Sequence, residues 1–136
     1  MGGKTTGAPP QGMPDFQKAI SVDFSWDAER SAVVAAVRLE PGYHAYGQGE
    51  ETGRPLTMEV SSDGWTIKEL KLPKGVEKDL GVLGKSVVVT GKVEVAAVVE
   101  AVGDTANSVA GLLRYQVCTA KACDRPRSMP FQVTPR

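Results

Sequence analysis

Metal-binding side chains are scarce in this chain. Its 136 residues include two cysteines and one histidine, at most three soft ligands where a structural zinc site uses four. An excess of charge of either sign is also missing: 16 Lys and Arg stand against 16 Asp and Glu. That balance gives no basic field to draw the protein to nucleic acid or an anionic membrane. Long apolar runs are absent as well. The longest, Val93 to Val102, is broken by Glu94 and Glu100 and falls far short of the roughly 20 residues of a membrane helix. The first dozen residues have no apolar centre of the kind an export leader carries, so the start reads as a domain boundary or as a mature terminus with an added Met. Two short patterns carry nothing. Met1 to Thr6 meets a permissive acylation pattern. Gly84-Lys85-Ser86 looks like the end of a phosphate loop, but Asp79 stands where its first glycine is required.

What is present is β-strand patterning. Residues 1–14 are rich in Gly, Pro and Thr with little to bury, and read as a flexible arm ahead of one domain over 15–136. Val22, Phe24 and Trp26 then alternate with Asp23 and Ser25, the period of a strand with one buried face. Runs at Ala32 to Leu39, Tyr43 to Tyr46, Leu56 to Val60 and Trp65 to Leu72 follow. Val87 to Val89, Val93 to Val102, Leu112 to Val117 and Met129 to Val133 complete the set. Turn signals separate them, Ser61-Ser62-Asp63-Gly64 being the strongest. The segment Gln48 to Pro55 reads as a solvated loop with Glu50, Glu51 and Arg54, and Leu72 to about Gly84 as another. Trp26 and Trp65 fall in alternating strands and read as core anchors. Eight or nine short strands with no helical period predict an all-β sandwich.

The cysteines, Cys118 and Cys123, lie together near the end of the chain. Joined, they would close so short a loop that the chain-entropy gain is only about 2 kcal/mol, against almost 5 for a loop of a hundred residues. Such a bridge suits being made and broken better than stapling a fold. Exchange needs one reachable sulfur with thiolate character. Lys121, Arg125 and Arg127 favour that thiolate and Asp124 opposes it. An inert hairpin disulfide is the competing reading of the same residues.

Several blocks occur in a telling order: Pro41-Gly42-Tyr43-His44-Ala45-Tyr46, Leu72-Pro73-Lys74-Gly75-Val76, Gly84-Lys85-Ser86 and Tyr115-Gln116-Val117-Cys118 with Cys123 and Pro126. In this the chain resembles the N-terminal periplasmic domain of the thiol:disulfide interchange protein DsbD over about Phe16 to Val133. The Tyr-Gln-x-Cys block is the most specific part. The resemblance implies an immunoglobulin-like β-sandwich with a redox cysteine pair on a C-terminal hairpin. Cys123 is expected to form mixed disulfides with partners and the more buried Cys118 to resolve them. His44 and Tyr46 are expected to surround the pair. A cap loop at about Asp79 to Gly84 should cover it, with Val82 and Leu83 as an apolar shield where other members carry acidic and aromatic residues.

The function so implied is a periplasmic protein-disulfide reductase module within a larger relay. It would take electrons from a thioredoxin-like donor domain and pass them to a disulfide isomerase or a cytochrome c maturation thioredoxin. No cofactor is expected, since the chemistry needs only sulfur. The fragment is expected to be a monomer with no membrane segment of its own, cut from a membrane protein or standing alone. Two rivals remain: a non-redox immunoglobulin-like binding module with a structural disulfide, and a cytochrome c maturation accessory with one dedicated partner. For His44 two placements stay open, at the rim of a core held by Tyr46, or beside the sulfurs as a proton shuttle near neutral pH.

Overall fold

Alternating valines and alanines build the centre of the molecule. The computed structural model describes residues 15–50, 53–79, 84–103 and 108–135, and among these every regular element is a strand. The ten are β1 (Ile20–Asp27), β2 (Ala32–Leu39), β3 (Ala45–Tyr46), β4 (Thr57–Val60), β5 (Trp65–Lys71), β6 (Val76–Asp79), β7 (Lys85–Val89), β8 (Lys92–Ala101), β9 (Val109–Tyr115) and β10 (Arg127–Val133). They form three antiparallel sheets with orders β1-β2-β8-β5, β10-β9-β4 and β3-β7-β6. The expected arm over 1–14 lies outside the described residues.

The register shows why one face is buried. In the first sheet Val33 pairs with Ala97, Ala35 with Val95 and Val37 with Val93, and opposite residues on paired strands point to the same side. That face packs against Met58 of β4, Leu113 of β9 and Phe131 and Val133 of β10 in one apolar core. Phe24 of β1 stacks on Phe131 of β10 with ring centroids 5.2 Å apart, an aromatic contact between the two sheets. Trp26 and Trp65 meet edge to face at 6.0 Å and pack against the same core, as their alternation predicts. Gly111 of β9 is small for a reason. A Cβ there would overlap the carbonyl oxygen of Glu59 on β4, so the strands could not close at this point.

One element departs from the sequence reading. The stretch expected as loop from Leu72 to Gly84 contains β6, whose four residues are all exposed. It pairs with β7 from Val76–Val88 to Asp79–Lys85. Its order comes from backbone pairing rather than from a buried stripe, so side-chain periodicity gives no sign of it.

Candidate active site

The two cysteines stand opposite each other in a short ladder beyond β9. Asp124 N–H donates to the Val117 carbonyl (2.9 Å) and Thr119 N–H to the Ala122 carbonyl (2.7 Å). These bonds flank the Cys118–Cys123 bridge on either side and leave the pair itself unbonded through the backbone. This is the narrow position of an antiparallel ladder, where Cα atoms approach to about 4.5 Å. The Cα atoms here are 4.0 Å apart and the sulfurs are bonded, nearer than the roughly 5.5 Å usual for disulfides. The turn contains neither Gly nor Pro. It closes because Thr119 Oγ1 accepts the N–H groups of Lys121 (3.2 Å) and Ala122 (3.1 Å), a side-chain substitute for a backbone turn bond.

On its other side Cys118 exchanges two backbone hydrogen bonds with His44, at 2.9 and 2.8 Å. Paired residues share a face, and so do residues two apart in a strand. His44, Tyr46, Cys118 and Cys123 therefore come to one side of this small ribbon. Their exposures differ sharply. Cys118 is fully buried, with Tyr46 and Val88 in its own apolar cluster, while Cys123 is exposed. The pair thus joins one buried and one exposed residue, the asymmetry implied by the resemblance.

Tyr46 touches both. Its hydroxyl lies 3.3 Å from Cys118 Sγ and 3.4 Å from Cys123 Sγ. A disulfide sulfur carries no proton, so the phenol is the donor. Burial, and secondarily the charge of Glu50, push the Tyr46 pKa above its ordinary value, so the hydroxyl keeps its proton at neutral pH. His44 packs edge-on against the Tyr46 ring with centroids 5.6 Å apart. It is buried rather than at the rim, and its Nε2 has no hydrogen-bond partner among the described residues. Burial, followed by the charge of Lys78 and partly offset by Glu50, lowers its pKa. His44 is therefore neutral at pH 7.

The charge balance at the exposed sulfur is settled by pairing. Arg127 binds Asp124 through two contacts, 2.5 Å from Nε and 3.3 Å from a terminal nitrogen. The side-chain hydrogen bond from Arg127 holds the Asp124 carboxyl below its ordinary pKa. With Asp124 so matched, exposed Lys121 and Arg125 set the local sign. Cations beside a thiol favour its thiolate.

Three residues outside the expected set join the site. Glu50 is not simply solvated: its carboxylate accepts the N–H of Val87 (2.7 Å) and of Gly53 (2.8 Å). Gly53 lies so close to the Tyr46 ring that a Cβ would overlap it. Gln116 Oε1 accepts the Arg54 N–H (3.1 Å), and Gln116 Nε2 donates to the Asp124 carbonyl (2.9 Å). In the sequence Gln116 shows only as part of the Tyr-Gln-x-Cys block, and Gly53 only as a position within the Gln48 to Pro55 loop. Val82, Leu83 and Glu51 lie outside the described residues. Among the described residues no group of three or more His, Cys, Asp or Glu is placed to hold a metal ion.

Comparison with known proteins places this geometry. Residues 13–135 match the family model described as thiol:disulfide interchange protein DsbD, N-terminal. The reduced N-terminal domain of DsbD from Neisseria meningitidis superposes with a TM-score of 0.69 at 20% identity, over 95% of each chain. The complex of the DsbD N-terminal and PilB N-terminal domains from the same organism gives 0.64 at 21%, over 90% of this chain and 87% of that one. The N-terminal periplasmic domain of ScsB from Proteus mirabilis gives 0.55 at 14%, over 85% of this chain and 47% of that one. No curated protein sequence matches significantly. The shared fold is the immunoglobulin-like β-sandwich expected from the sequence.

Proposed function

Since the chain belongs to the family of the N-terminal domain of the thiol:disulfide interchange protein DsbD, a thiol–disulfide exchange module, we propose that it works as a protein-disulfide reductant through Cys123 and Cys118. The observation that carries this is the asymmetry of the pair. One cysteine is exposed, the other is fully buried, and one hydroxyl contacts both sulfurs.

The chemistry follows from that order. In the reduced domain the Cys123 thiolate attacks one sulfur of a partner's disulfide. The partner's S–S bond breaks and its departing sulfur takes up a proton. Cys118 then gives up its proton and attacks Cys123 Sγ in the mixed disulfide, which expels the partner's second thiolate for protonation. Two electrons and two protons pass to the partner, and the domain is left with the Cys118–Cys123 bond described above. Burial of Cys118 keeps it from external disulfides and leaves it within reach of one electrophile, the mixed disulfide at Cys123. The Tyr46 hydroxyl is placed to donate to whichever sulfur bears negative charge. Neutral His44, packed on Tyr46, completes a dry floor beneath the pair and serves as the nearby base.

The natural partners are proteins with their own exposed dithiol or disulfide. On the donor side the family resemblance supports a thioredoxin-like domain; the complex of the related neisserial domain with the PilB N-terminal domain supports docking of a partner protein, whichever way the electrons run. On the acceptor side it supports a disulfide isomerase or a cytochrome c maturation thioredoxin. A periplasmic setting is supported by the periplasmic ScsB domain of similar fold, and an oxidising compartment is where such traffic is needed. Val82 and Leu83 retain their proposed role as an apolar shield.

Two measurements test this. In Cys118→Ala the mixed disulfide cannot be resolved, so mixing with a periplasmic extract should leave thioredoxin-like proteins covalently held at Cys123. The reduction potential should lie well above the range below about −300 mV typical of structural disulfides. A potential in that structural range, with nothing trapped, would return the chain to the non-redox reading.

A further inference from the structure

Tyr46 is not held against the sulfurs by its own strand alone. β3 ends at Tyr46, and the chain returns to it at Pro55, which bridges Tyr46 in parallel fashion. Leu56 N–H also donates to the Tyr46 carbonyl at 2.9 Å. Between these points Gly53 rests directly on the Tyr46 ring. The segment 53–55 therefore acts as the back wall for the ring whose hydroxyl meets both sulfurs.

Gln116 joins that wall to the cysteine hairpin. Its Oε1 accepts from Arg54 N–H at 3.1 Å, in the middle of the wall. Its Nε2 donates to the Asp124 carbonyl at 2.9 Å, one residue past Cys123. A single planar carboxamide thus spans from the segment that backs Tyr46 to the strand that carries the reactive sulfur. We propose that Gln116 is a positioning residue of the exchange reaction, clamping segment 53–55 to the hairpin so that the Tyr46 hydroxyl stays aimed at Cys123. This rests on the exchange reading above and adds how the site is kept in register.

The physical effect is on the thiolate. A buried phenol that donates to the Cys123 thiolate stabilises the charged form, and a charge-assisted hydrogen bond of this kind is sensitive to aim. Leucine at 116 keeps comparable bulk but is one bond shorter, and it has neither the acceptor for Arg54 nor the donor for Asp124. Segment 53–55 and the hairpin then move independently, and the hydroxyl loses its fixed aim. With the thiolate less stabilised, alkylation near neutral pH slows about three- to tenfold and its profile moves to higher pH.

The test follows alkylation of Cys123 by iodoacetamide across pH, in a Cys118→Ala background so that one thiol reacts. Gln116→Leu should shift the profile to higher pH, Tyr46→Phe should shift it at least as far, and the double variant should shift it no further than Tyr46→Phe alone. Gly53→Ala, whose added methyl pushes on the ring, should move the profile the same way; Gln116→Met, equal to glutamine in length but without its polar atoms, decides the matter if Gln116→Leu does not fold. An unmoved profile in a folded Gln116→Leu protein, or shifts that simply add to those of Tyr46→Phe, would overturn the clamp. The companion measurement is exchange of the unaltered chain with oxidised glutathione. If that exchange proceeds while Gln116→Leu changes nothing, the clamp falls and the exchange reading stands. If the unaltered chain does not exchange at all, both fall.

Discussion

Arg127 holds the carboxylate of Asp124 in a two-pronged contact, at 2.5 and 3.3 Å, immediately beyond the exposed Cys123. The pair removes from the neighbourhood of the reactive sulfur the one acidic group next to it in sequence. Charge at the site is therefore governed by a residue four positions from the thiol.

Releasing that carboxylate should show as lost reactivity. In Arg127→Gln the Asp124 carboxylate loses its two-pronged partner and keeps only the weaker influence of Arg125. At a separation of several ångströms near the surface this is worth on the order of 1 kcal/mol. Alkylation of Cys123 at pH 7 should slow by about two- to fivefold, with a pH–rate profile displaced to higher pH. A profile identical to that of the unaltered protein would mean that Asp124 is already screened by solvent.

The exposed cations near Cys123 should select among small disulfides. Lys121 and Arg125 are exposed on either side of Cys123, so the reduced domain should prefer anionic oxidised glutathione to neutral hydroxyethyl disulfide at low salt. The preference should shrink toward unity at about 0.5 M salt, where screening lengths fall to a few ångströms. Lys121→Glu with Arg125→Glu should reverse its sign. Equal rates for both probes at low salt would show that charge does not steer encounter here.

His44 gives stability a defined dependence on pH. Its pKa in the folded protein lies below the ordinary histidine value, chiefly through burial. The unfolded chain therefore binds the proton more readily. Stability is full above about pH 6.5, falls as pH drops below it toward the lowered folded value, and levels off beneath that. His44→Phe should flatten this decline when urea midpoints are compared between pH 5 and pH 8. An unaltered slope would place the titration elsewhere. The same variant addresses catalysis: a pH dependence of exchange that survives unchanged would remove His44 as a base.

Reduction should leave the fold standing. The bond closes a loop between residues only five apart, worth about 2 kcal/mol in chain entropy. The apolar core draws on all three sheets, with Val33, Val95, Leu113 and Val133 among its members, and the cysteines are not part of it. Melting with and without reductant should differ by no more than about 5–10 °C for a chain of this size. Collapse on reduction would identify the bond as a structural staple.

Much of this was legible in the residues. Strands such as β1 and β2 announce themselves because burial on one face forces alternation, and Val22, Phe24 and Trp26 obey it. The cysteine pair stood out by spacing, and the resemblance correctly anticipated which sulfur is buried. Other features depend on partners far along the chain. β6 is an exposed edge strand of Val-Glu-Lys-Asp whose pairing leaves no side-chain signature. Glu50 reads as surface charge until β7 arrives to offer the Val87 N–H. Gln116 bonds across 62 residues to Arg54, and no local pattern encodes a contact of that span.

The narrow ladder position of the two cysteines has one more consequence. The amide bonds at Thr119 and Asp124 that bracket them do not involve the sulfurs, so breaking the S–S bond removes none of them. Amide exchange at those two positions should be equally slow in both redox forms. A donor and an acceptor would then meet one and the same surface, and the relay would run downhill by relative potential alone, with no change of shape to tell it which way to go.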